Sequence, residues 1–463
     1  MRLWQPFILF FLLVRTPTLG VWRLIVERFA INKRHFLRSI LISLFVSIFV
    51  FIMAQLGHFR PWENQVTTFL QSITQKKAKD VVLLFITEKE YQRGFQSKSP
   101  LSRERLAAMV DVLVKLNARV IALDIDLSDP TPDDPKLMKS LDGASAAGIP
   151  VVAVGNLKPL GNTQNSILKS PIDQRPYASE RLQYSPEGLL LFGEANPGEH
   201  WSDKVMFGGV FFRLDNDGVF RQAQALYLIK TPASNYDPFP SFPVAVAAAF
   251  QGISQKDLQK TLSQKPLSSI SLASRRGPNE TPLQFHLDKE GQVTPNFIGN
   301  YENFEREIDL ASLLEEYGSE KPAKRTIFNN RIVLVGGVYE KRDFYRTPLG
   351  EMSGVEILAN ISQNLLSGSL ISHMNYRKAL VIEVVLGGLV GMIFILFSRR
   401  RATFICLIGL IPTVGLSSYW AFSSMHFWFD FLPTIAGVML HGWIKKTEET
   451  HRPRGTSASE SVL

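Results

Sequence analysis

The sequence predicts an α/β domain, with a parallel sheet, flanking helices and a β-hairpin insertion, anchored in a membrane by four transmembrane helices. Two observations predict this fold class. Between Lys79 and Asn156, apolar strand-length runs alternate with amphipathic helical stretches, which is typical of a parallel sheet with helices packed on it. Four apolar runs also flank the middle of the chain, and each is about as long as the ~20-residue helix that crosses a bilayer.

The predicted sheet begins with three strands separated by two helices. The strands are almost continuously apolar, as expected of strands buried on both faces, and they lie at Lys79–Thr87, Val120–Ser128 and Pro150–Asn156. In the first helix, Leu106, Met109, Val110, Leu113 and Leu116 recur at helical spacing. A later apolar run, Arg331–Gly337, predicts one more strand of the same sheet.

The residues between the third strand and Arg331 have a different character. Leu157–Pro197 is polar and predicts a loop. Val205–Ile229 predicts a β-hairpin, because aromatic and β-branched flanks surround the turn residues Asp215–Gly218. Short elements are predicted after it: a helix at Phe242–Phe250 and strands at Leu283–Leu287 and Pro295–Asn300.

The charge distribution orients the four apolar runs. The 463-residue chain has a net charge of +9, and Lys and Arg cluster before residue 40, at Arg399–Arg401 and after residue 444. The positive-inside rule places these three flanks in the cytoplasm. The predicted segments are a cytoplasmic N-terminal segment 1–39, transmembrane helices 40–56, 379–397, 402–422 and 426–444, an extracytoplasmic domain 57–377 and a short polar tail 445–463. Within residues 1–39, Phe7–Val14 is interpreted as an interfacial helix, with a fifth span as the alternative.

Composition excludes several classes of protein. The basic residues flank the apolar runs, so they indicate a membrane topology and not nucleic-acid binding. Cys406, the one cysteine, lies inside an apolar run, so the outer domain has no disulfide, which is compatible with a bacterial envelope. No P-loop, GxGxxG, GxSxG or HExxH motif occurs, so we expect no enzyme; the weaker alternative is a hydrolase that uses Asp124 and Asp126.

Three acidic residues cluster where the second strand ends, namely Asp124, Asp126 and Asp129. Ligands of open parallel sheets bind outside the carboxyl ends of the strands. Asp124 and Asp126 share one face of an extended strand, and such a pair could hold Mg²⁺ or Ca²⁺ through oxygen ligands. The alternative is that Asp126 and Asp129 cap a loop or the next helix.

A second group of polar residues follows the strand at Arg331–Gly337. Asp343 and Thr347 should lie at the same edge of the sheet, and Glu356 and Asn360, four apart on a helix, share a face with each other. Together they predict a polar ligand pocket. The alternative is that Thr347 shapes a turn and Asp343 anchors the loop.

Two acids lie within the apolar runs, Glu383 and Asp430. Each is about one turn inside the outer end of its predicted span. Intramembrane acids are costly and suggest a functional role, although at this depth they could reach interfacial water.

Three blocks of the chain resemble the CHASE type 2 domain, a cyclase- and histidine-kinase-associated sensory extracellular domain. The blocks are "VVLLFIT…ARVIALDIDLSDPTPDD", "DNDGVFRQAQALYL…FPSFPVAVAAAF" and "RIVLVGG…DFYRTPLGEMSGVEILANISQNLLSG". The resemblance covers Lys79–Gly368. It also extends to the layout, which in the family is one span, the outer domain and three spans.

The resemblance implies a sensory module in a bacterial inner membrane, with its large domain in the periplasm. In the family the last span usually leads to an output domain, but here a polar tail follows Ile444. We therefore expect a separate signalling output protein as partner, besides the lipid bilayer, and the oligomeric state stays open. The alternative function is a non-sensing envelope assembly or protein-interaction module on the same fold.

Overall fold

The computed structural model describes most of the chain as two compact units. One unit is Gln71–Ile371, and the other combines residues within Met1–Leu70 and Ser372–Leu463. The predicted helix at Phe7–Val14 and most of the predicted tail lie outside the described residues. The described residues are 33–74, 76–159, 185, 189–196, 201, 205–230, 236–264, 269–275, 282–307, 310–318, 326–341 and 343–450.

The helices and strands are numbered here along the chain. The helices are α1 Lys33–Gln55, α2 Arg60–Ile73, α3 Glu88–Arg93, α4 Arg103–Lys115, α5 Asp134–Ala146, α6 Phe242–Phe250, α7 Gln255–Leu262, α8 Leu310–Gly318, α9 Gly354–Ser367, α10 Tyr376–Leu396, α11 Arg399–Met425 and α12 Leu432–Thr450. The strands are β1 Val81–Ile86, β2 Val120–Asp126, β3 Val151–Pro159, β4 Leu191–Asn196, β5 Met206–Gly209, β6 Ala223–Gln224, β7 Leu226–Ile229, β8 Asp237–Pro240, β9 Ser269–Leu272, β10 Leu283–His286, β11 Gln292–Val293, β12 Glu305–Glu307, β13 Ile332–Gly337, β14 Phe344–Thr347, β15 Gly350–Ser353, β16 Ser372–His373 and β17 Phe427–Trp428.

The first unit is built on a mixed sheet of order β12-β1-β13-β2-β3-β4-β7-β8, with β5 also paired to β3. The strands from β12 to β3, together with β5, are parallel. The strand β13 lies between β1 and β2, so Val333 faces both Val82 and Ile121 across its two ladders. The prediction of a parallel sheet with flanking helices is confirmed, including the membership of β13.

Helices cover both faces of this sheet. Alternate side chains of β1 enter two separate cores: Val81, Leu83 and Phe85 enter one, and Val82, Leu84 and Ile86 enter the other. The first core also contains the apolar sides of α6 and α9, and the second those of α4, α5 and α8. Burial on both faces explains why the strands read as continuous apolar runs.

The predicted hairpin at Val205–Ile229 is wrong. Its turn forms, since the Gly218 N–H donates to the Asp215 carbonyl at 2.8 Å. Its flanks, however, pair elsewhere: β5 joins β3 in parallel, and β7 joins β4 and β8. Strand pairing depends on tertiary packing more than on local turn chemistry, and the larger sheet offers these apolar segments buried partners. The strands β14 and β15 do form an antiparallel hairpin, in which Thr347 pairs with Gly350.

The second unit contains the membrane-type helices. Among the described residues, α10 and α11 are long and apolar enough to cross a membrane, and Ile40–Gln55 with Arg60–Ile73 would make a third span if this pair, bent by 76°, is one span. The fourth predicted span, 426–444, overlaps α12, which is not among these candidate spans. The anchor of four transmembrane helices therefore stays a prediction. The helices α1 and α10 pack closely, because Ser43 and Ser47 lie against Gly391 and Gly387.

Candidate functional site

Asp124 lies at the carboxyl end of β2, beneath the start of α9. Alternation along β2 turns its side chain to the sheet face that α9 covers, because Val120 and Ala122 enter the core on that face. Across the ladder, Asp124 pairs with Gly336 of β13. A Cβ at Gly336 would lie 3.2 Å from the Asp124 Oδ2 atom and would also collide with Val355 of α9. The absence of a side chain at Gly336 therefore leaves room for the Asp124 carboxyl.

Asp343 reaches the same place from the loop before β14. Its carbonyl accepts a hydrogen bond of 2.8 Å from the Gly354 N–H. Its carboxyl accepts hydrogen bonds from Tyr345 and the Gly354 backbone, and it occupies the space where a Cβ of Gly354 would stand. Gly354 is the first residue of α9, so the carboxyl also benefits from the positive end of the helix dipole.

Asp124 and Asp343 form a half-buried carboxyl pair. Burial and then the neighbouring Asp343 raise the pKa of Asp124 to about 8. Burial likewise raises the pKa of Asp343, against hydrogen bonds that lower it. Two carboxyls this close do not both ionise readily, so near neutral pH the pair holds a proton. Chemically, the pair can exchange that proton or accept a cationic group.

The other two acids of the predicted cluster lie in a different environment. Asp126 is exposed, and its carboxyl accepts hydrogen bonds from the Ser128 N–H at 2.8 Å and from Asn156 at 3.2 Å. Both Asp126 and Asp129 lie in the field of the fully buried Arg103. Asp126 thus supports a loop, as the alternative interpretation had it, and does not join Asp124. Among the described residues, no three His, Cys, Asp or Glu side chains are arranged to hold a metal ion.

Arg103 was missed by sequence reasoning. Its Nε donates to Asp134 at 3.3 Å, and its Nη2 donates to the Asp129 carbonyl at 3.1 Å. Burial lowers its pKa, while Asp134, Asp126 and Asp129 act to raise it. The density of acids after β2 is a signal that a cation should lie nearby, and Arg103 at the start of α4 supplies it.

Thr347 is buried within the β14–β15 turn. Its hydroxyl donates to the Gly350 carbonyl at 2.7 Å and accepts from the Leu349 N–H at 3.3 Å. This is the turn-shaping role that was the alternative in the sequence analysis, and it leaves the hydroxyl engaged inside the hairpin.

Glu356 and Asn360 share a face of α9, but the protein itself fills that face. Glu356 closes a capping box with Ser353 and accepts a hydrogen bond of 2.8 Å from the Tyr301 N–H. Asn360 is fully buried, accepts from the Ile298 N–H at 2.8 Å and donates to the Gly299 carbonyl at 3.0 Å. These side chains bind α9 to the segment 296–301 and do not line a ligand pocket.

Two further residues of α9 accept hydrogen bonds from neighbouring backbone segments. Asn364 accepts from the Asn296 N–H at 2.7 Å, and Gln363 accepts from the Lys79 and Asp80 N–H groups at 3.1 and 2.9 Å. Sequence reasoning missed both, although the run of amides at positions 360, 363 and 364 was a signal of a polar helix face.

The two intramembrane acids have different settings. Glu383 is buried within α10. Asp430 is not inside a helix as predicted: α12 begins at Leu432, and Asp430 precedes it and accepts a hydrogen bond of 2.9 Å from the Leu432 N–H. The segment before it is extended, because Phe427 and Trp428 pair with Ser372 and His373.

Fold and site together define an α/β domain that carries a half-buried carboxyl pair at its sheet edge and is continuous in sequence with membrane-type helices. The CHASE2 domain family matches residues 44–396, most of the chain, and the chain therefore belongs to this family. CHASE2 domains are sensory extracellular domains, which is consistent with a sensory role. Comparison with curated proteins and with solved structures gave no match.

Proposed function

We propose that the chain is a bacterial inner-membrane sensor. Its CHASE2 domain lies in the periplasm, detects an envelope signal and passes it through the transmembrane helices to a separate output protein. The bilayer and this output protein are its partners, nucleic acid is not, and the chain has no catalytic activity of its own. The observation that carries this proposal is the half-buried Asp124–Asp343 pair at the start of α9.

The pair supports a switching role because its two carboxyls bring three elements together at one point. Asp124 belongs to β2, Asp343 to the loop before β14, and Gly354 to α9. A cationic group that neutralised both carboxyls would favour their close approach. Loss of the shared proton would instead favour the separation of the two carboxyls, while the Gly354 N–H would hold the ionised Asp343 carboxylate at the start of α9.

The helix α9 is also the last helix before the membrane-type segment. It ends at Ser367, and α10 begins at Tyr376. A displacement at Gly354 would therefore move α9, the helix that precedes the candidate span α10. A signal acts only if it binds one arrangement of α9 better than the other.

Hydrogen–deuterium exchange of the full chain in lipid nanodiscs tests this proposal. Exchange of peptides from α9 and α10 is followed while pH, divalent cations, sugars, amino acids and cell-wall fragments are varied. We expect at least one condition to change exchange in both helices, and Asp343→Asn to abolish the change. Asp126→Asn, the same substitution at an exposed loop position, is the matched control and should respond like the wild type. Exchange in α10 that stays constant under every condition would contradict the proposal.

A non-sensing envelope assembly module is the second candidate. Thr347, Glu356 and Asn360 make hydrogen bonds within the protein. This favours the second candidate, because fewer polar groups remain for a small ligand. Purification from the envelope under varied conditions separates the two functions. A partner that stays bound in the same amount under every condition would favour the assembly role.

A further inference from the structure

A second feature of the domain lies at the opposite edge of the sheet from the carboxyl pair. It is an open cavity of about 520 Å³, within the size range of small-molecule sites. Its walls come from Arg119, which precedes β2, from the end of α6, from the start of β10 and from the end of α9. Nothing described so far assigns a role to this cavity.

Arg119 gives the cavity its charge, since it is the one charged residue among the described residues that line it. The guanidinium carbon lies 3.7 Å from the centre of the Phe250 ring. Its Nε and Nη2 donate to the Phe250 carbonyl at 3.3 and 3.1 Å. Stacking and hydrogen bonding hold the guanidinium plane in place, and a held guanidinium at a cavity wall is suited to a carboxylate.

The end of α9 forms a second wall of opposite polarity. The helix stops at Gly368, whose φ is +63°, and the Gly368 N–H donates to the Asn364 carbonyl. Residues Leu365 to Gly368 line the cavity. The carbonyls of a last helical turn have no helical donor and carry the negative end of the helix dipole, so this wall suits an ammonium group.

The remaining surface is mixed. Leu366 and Pro282 contribute apolar surface and Gln284 contributes an exposed amide, whereas Leu283 and Leu365 are buried in the core. A guanidinium on one wall, helix carbonyls on another and a small apolar patch together complement a zwitterion with an aliphatic side chain.

We propose that this cavity binds an α-amino acid or short peptide with aliphatic side chains. The carboxylate meets Arg119, the ammonium group meets the end of α9, and the side chains cover Leu366 and Pro282. The role of such a ligand as the sensed signal rests on the sensor function proposed above, whereas its binding does not. Since α9 contacts the carboxyl pair at one end and this cavity at the other, a ligand here acts on the same helix.

Calorimetric titration of the full chain in detergent with the dipeptide Leu-Leu tests the site. Two analogues each lack one charge: the C-terminal amide has no carboxylate, and the N-acetyl peptide has no ammonium group. We expect saturable binding of Leu-Leu and at least about fivefold weaker binding of each analogue, because each loses one ionic partner.

A pair of isosteric variants adds the second test. Gln284→Glu places a negative charge in the cavity at an exposed position, and Gln264→Glu places the same charge at an exposed position outside it. We expect Gln284→Glu to weaken binding at least about fivefold and Gln264→Glu to leave it unchanged. Absence of saturable binding, or equal binding by both variants, would overturn the inference.

Exchange measurements on the same samples separate the two proposals. If Leu-Leu binds and exchange in α9 and α10 also changes, the site and the sensor function are both supported. If Leu-Leu binds and exchange in α10 does not respond, the site stands and the sensor function fails for this ligand.

Discussion

The surroundings of Asp124 disfavour the charged form of its carboxyl, and this predicts how the free energy of unfolding depends on pH. Its pKa is about 8 in the folded protein and near 3.9 in an unfolded chain. The folded state therefore binds the proton more tightly, so this stabilisation is full below about pH 4, falls between about pH 4 and pH 8, and is lost above that range.

The substitution Asp124→Asn should remove this dependence. We expect the free energy of unfolding to fall less between pH 5 and pH 8 than in the wild type, and the variant to be more stable than the wild type at pH 8 by up to about 5 kcal/mol, since each pKa unit corresponds to about 1.4 kcal/mol. Thermal unfolding in detergent across this pH range measures the difference. Asp126→Asn removes a carboxylate two residues away, and the same flattening in that variant would refute the assignment to Asp124.

Gly354 is required by the Asp343 carboxyl. A Cβ at this position would overlap the Asp343 carboxyl oxygen, so Gly354→Ala should destabilise the domain by about 1–3 kcal/mol. Gly143, in α5, has no atom within 4 Å of the added Cβ, so Gly143→Ala should stabilise by about 0.5–1 kcal/mol. Denaturation of both variants gives the comparison, and equal effects would contradict the role of Gly354.

Part of the carboxyl pair could be predicted from the sequence. Strand ends placed Asp124 and Asp343 at one edge of the sheet, because parallel strands end together. The sequence could not predict that the carboxyls of Asp126 and Asp124 would lie in different environments. A register irregularity follows Leu123 in β2, and the buried Arg103 lies near Asp126 and Asp129; both are tertiary facts.

At the scale of elements, α9 is held by its polar face. Asn360→Ala would leave the buried Ile298 N–H and Gly299 carbonyl without their partner, so we expect a loss of about 2 kcal/mol in stability. Ser362→Ala is the control on the same helix, because the Ser362 hydroxyl donates only to its own helix, at the Leu358 carbonyl. Its cost should stay below about 1 kcal/mol, and thermal unfolding compares the two.

The contact between α1 and α10 depends on one glycine face. A Cβ at Gly391 would overlap the Ser43 hydroxyl, which also lies 3.0 Å from His441 Nε2, whereas Gly388 has open space. Gly391→Ala should therefore lower the melting temperature of the chain in detergent, by several degrees for a loss of about 1 kcal/mol. Gly388→Ala should not lower it. A matching decrease in both variants would argue against this contact.

Elements with one strong local signal could be predicted, and elements that depend on a distant partner could not. The apolar runs of β1, β2, β3 and β13 carry their own burial pattern. The flanks of the Asp215–Gly218 turn also looked like strands, but which strands they pair with was decided by the main sheet. The polar face of α9 was likewise predicted as a pocket, because the sequence does not reveal that the segment 296–301 fills it.

For the whole molecule, the proposed topology predicts opposite labelling of two positions. In a Cys406→Ala background, Ser263→Cys places a thiol at an exposed site in the α/β unit, and Arg400→Cys places one at an exposed site in the first turn of α11. A membrane-impermeant maleimide should label the first in intact spheroplasts and the second only after lysis. Labelling of Arg400→Cys in intact spheroplasts would reverse the proposed orientation.

The position of β13 has a consequence for biosynthesis. The strands β1 and β2 are early in the chain, yet they do not touch each other, because the much later β13 separates them. The central pairings of the sheet therefore close only after Ile332–Gly337 has been synthesised. Long-range pairing of this kind folds slowly and leaves strand edges exposed meanwhile. Under the topology proposed above, the domain would thus cross the membrane as an open chain and would complete its sheet just before α10 emerges.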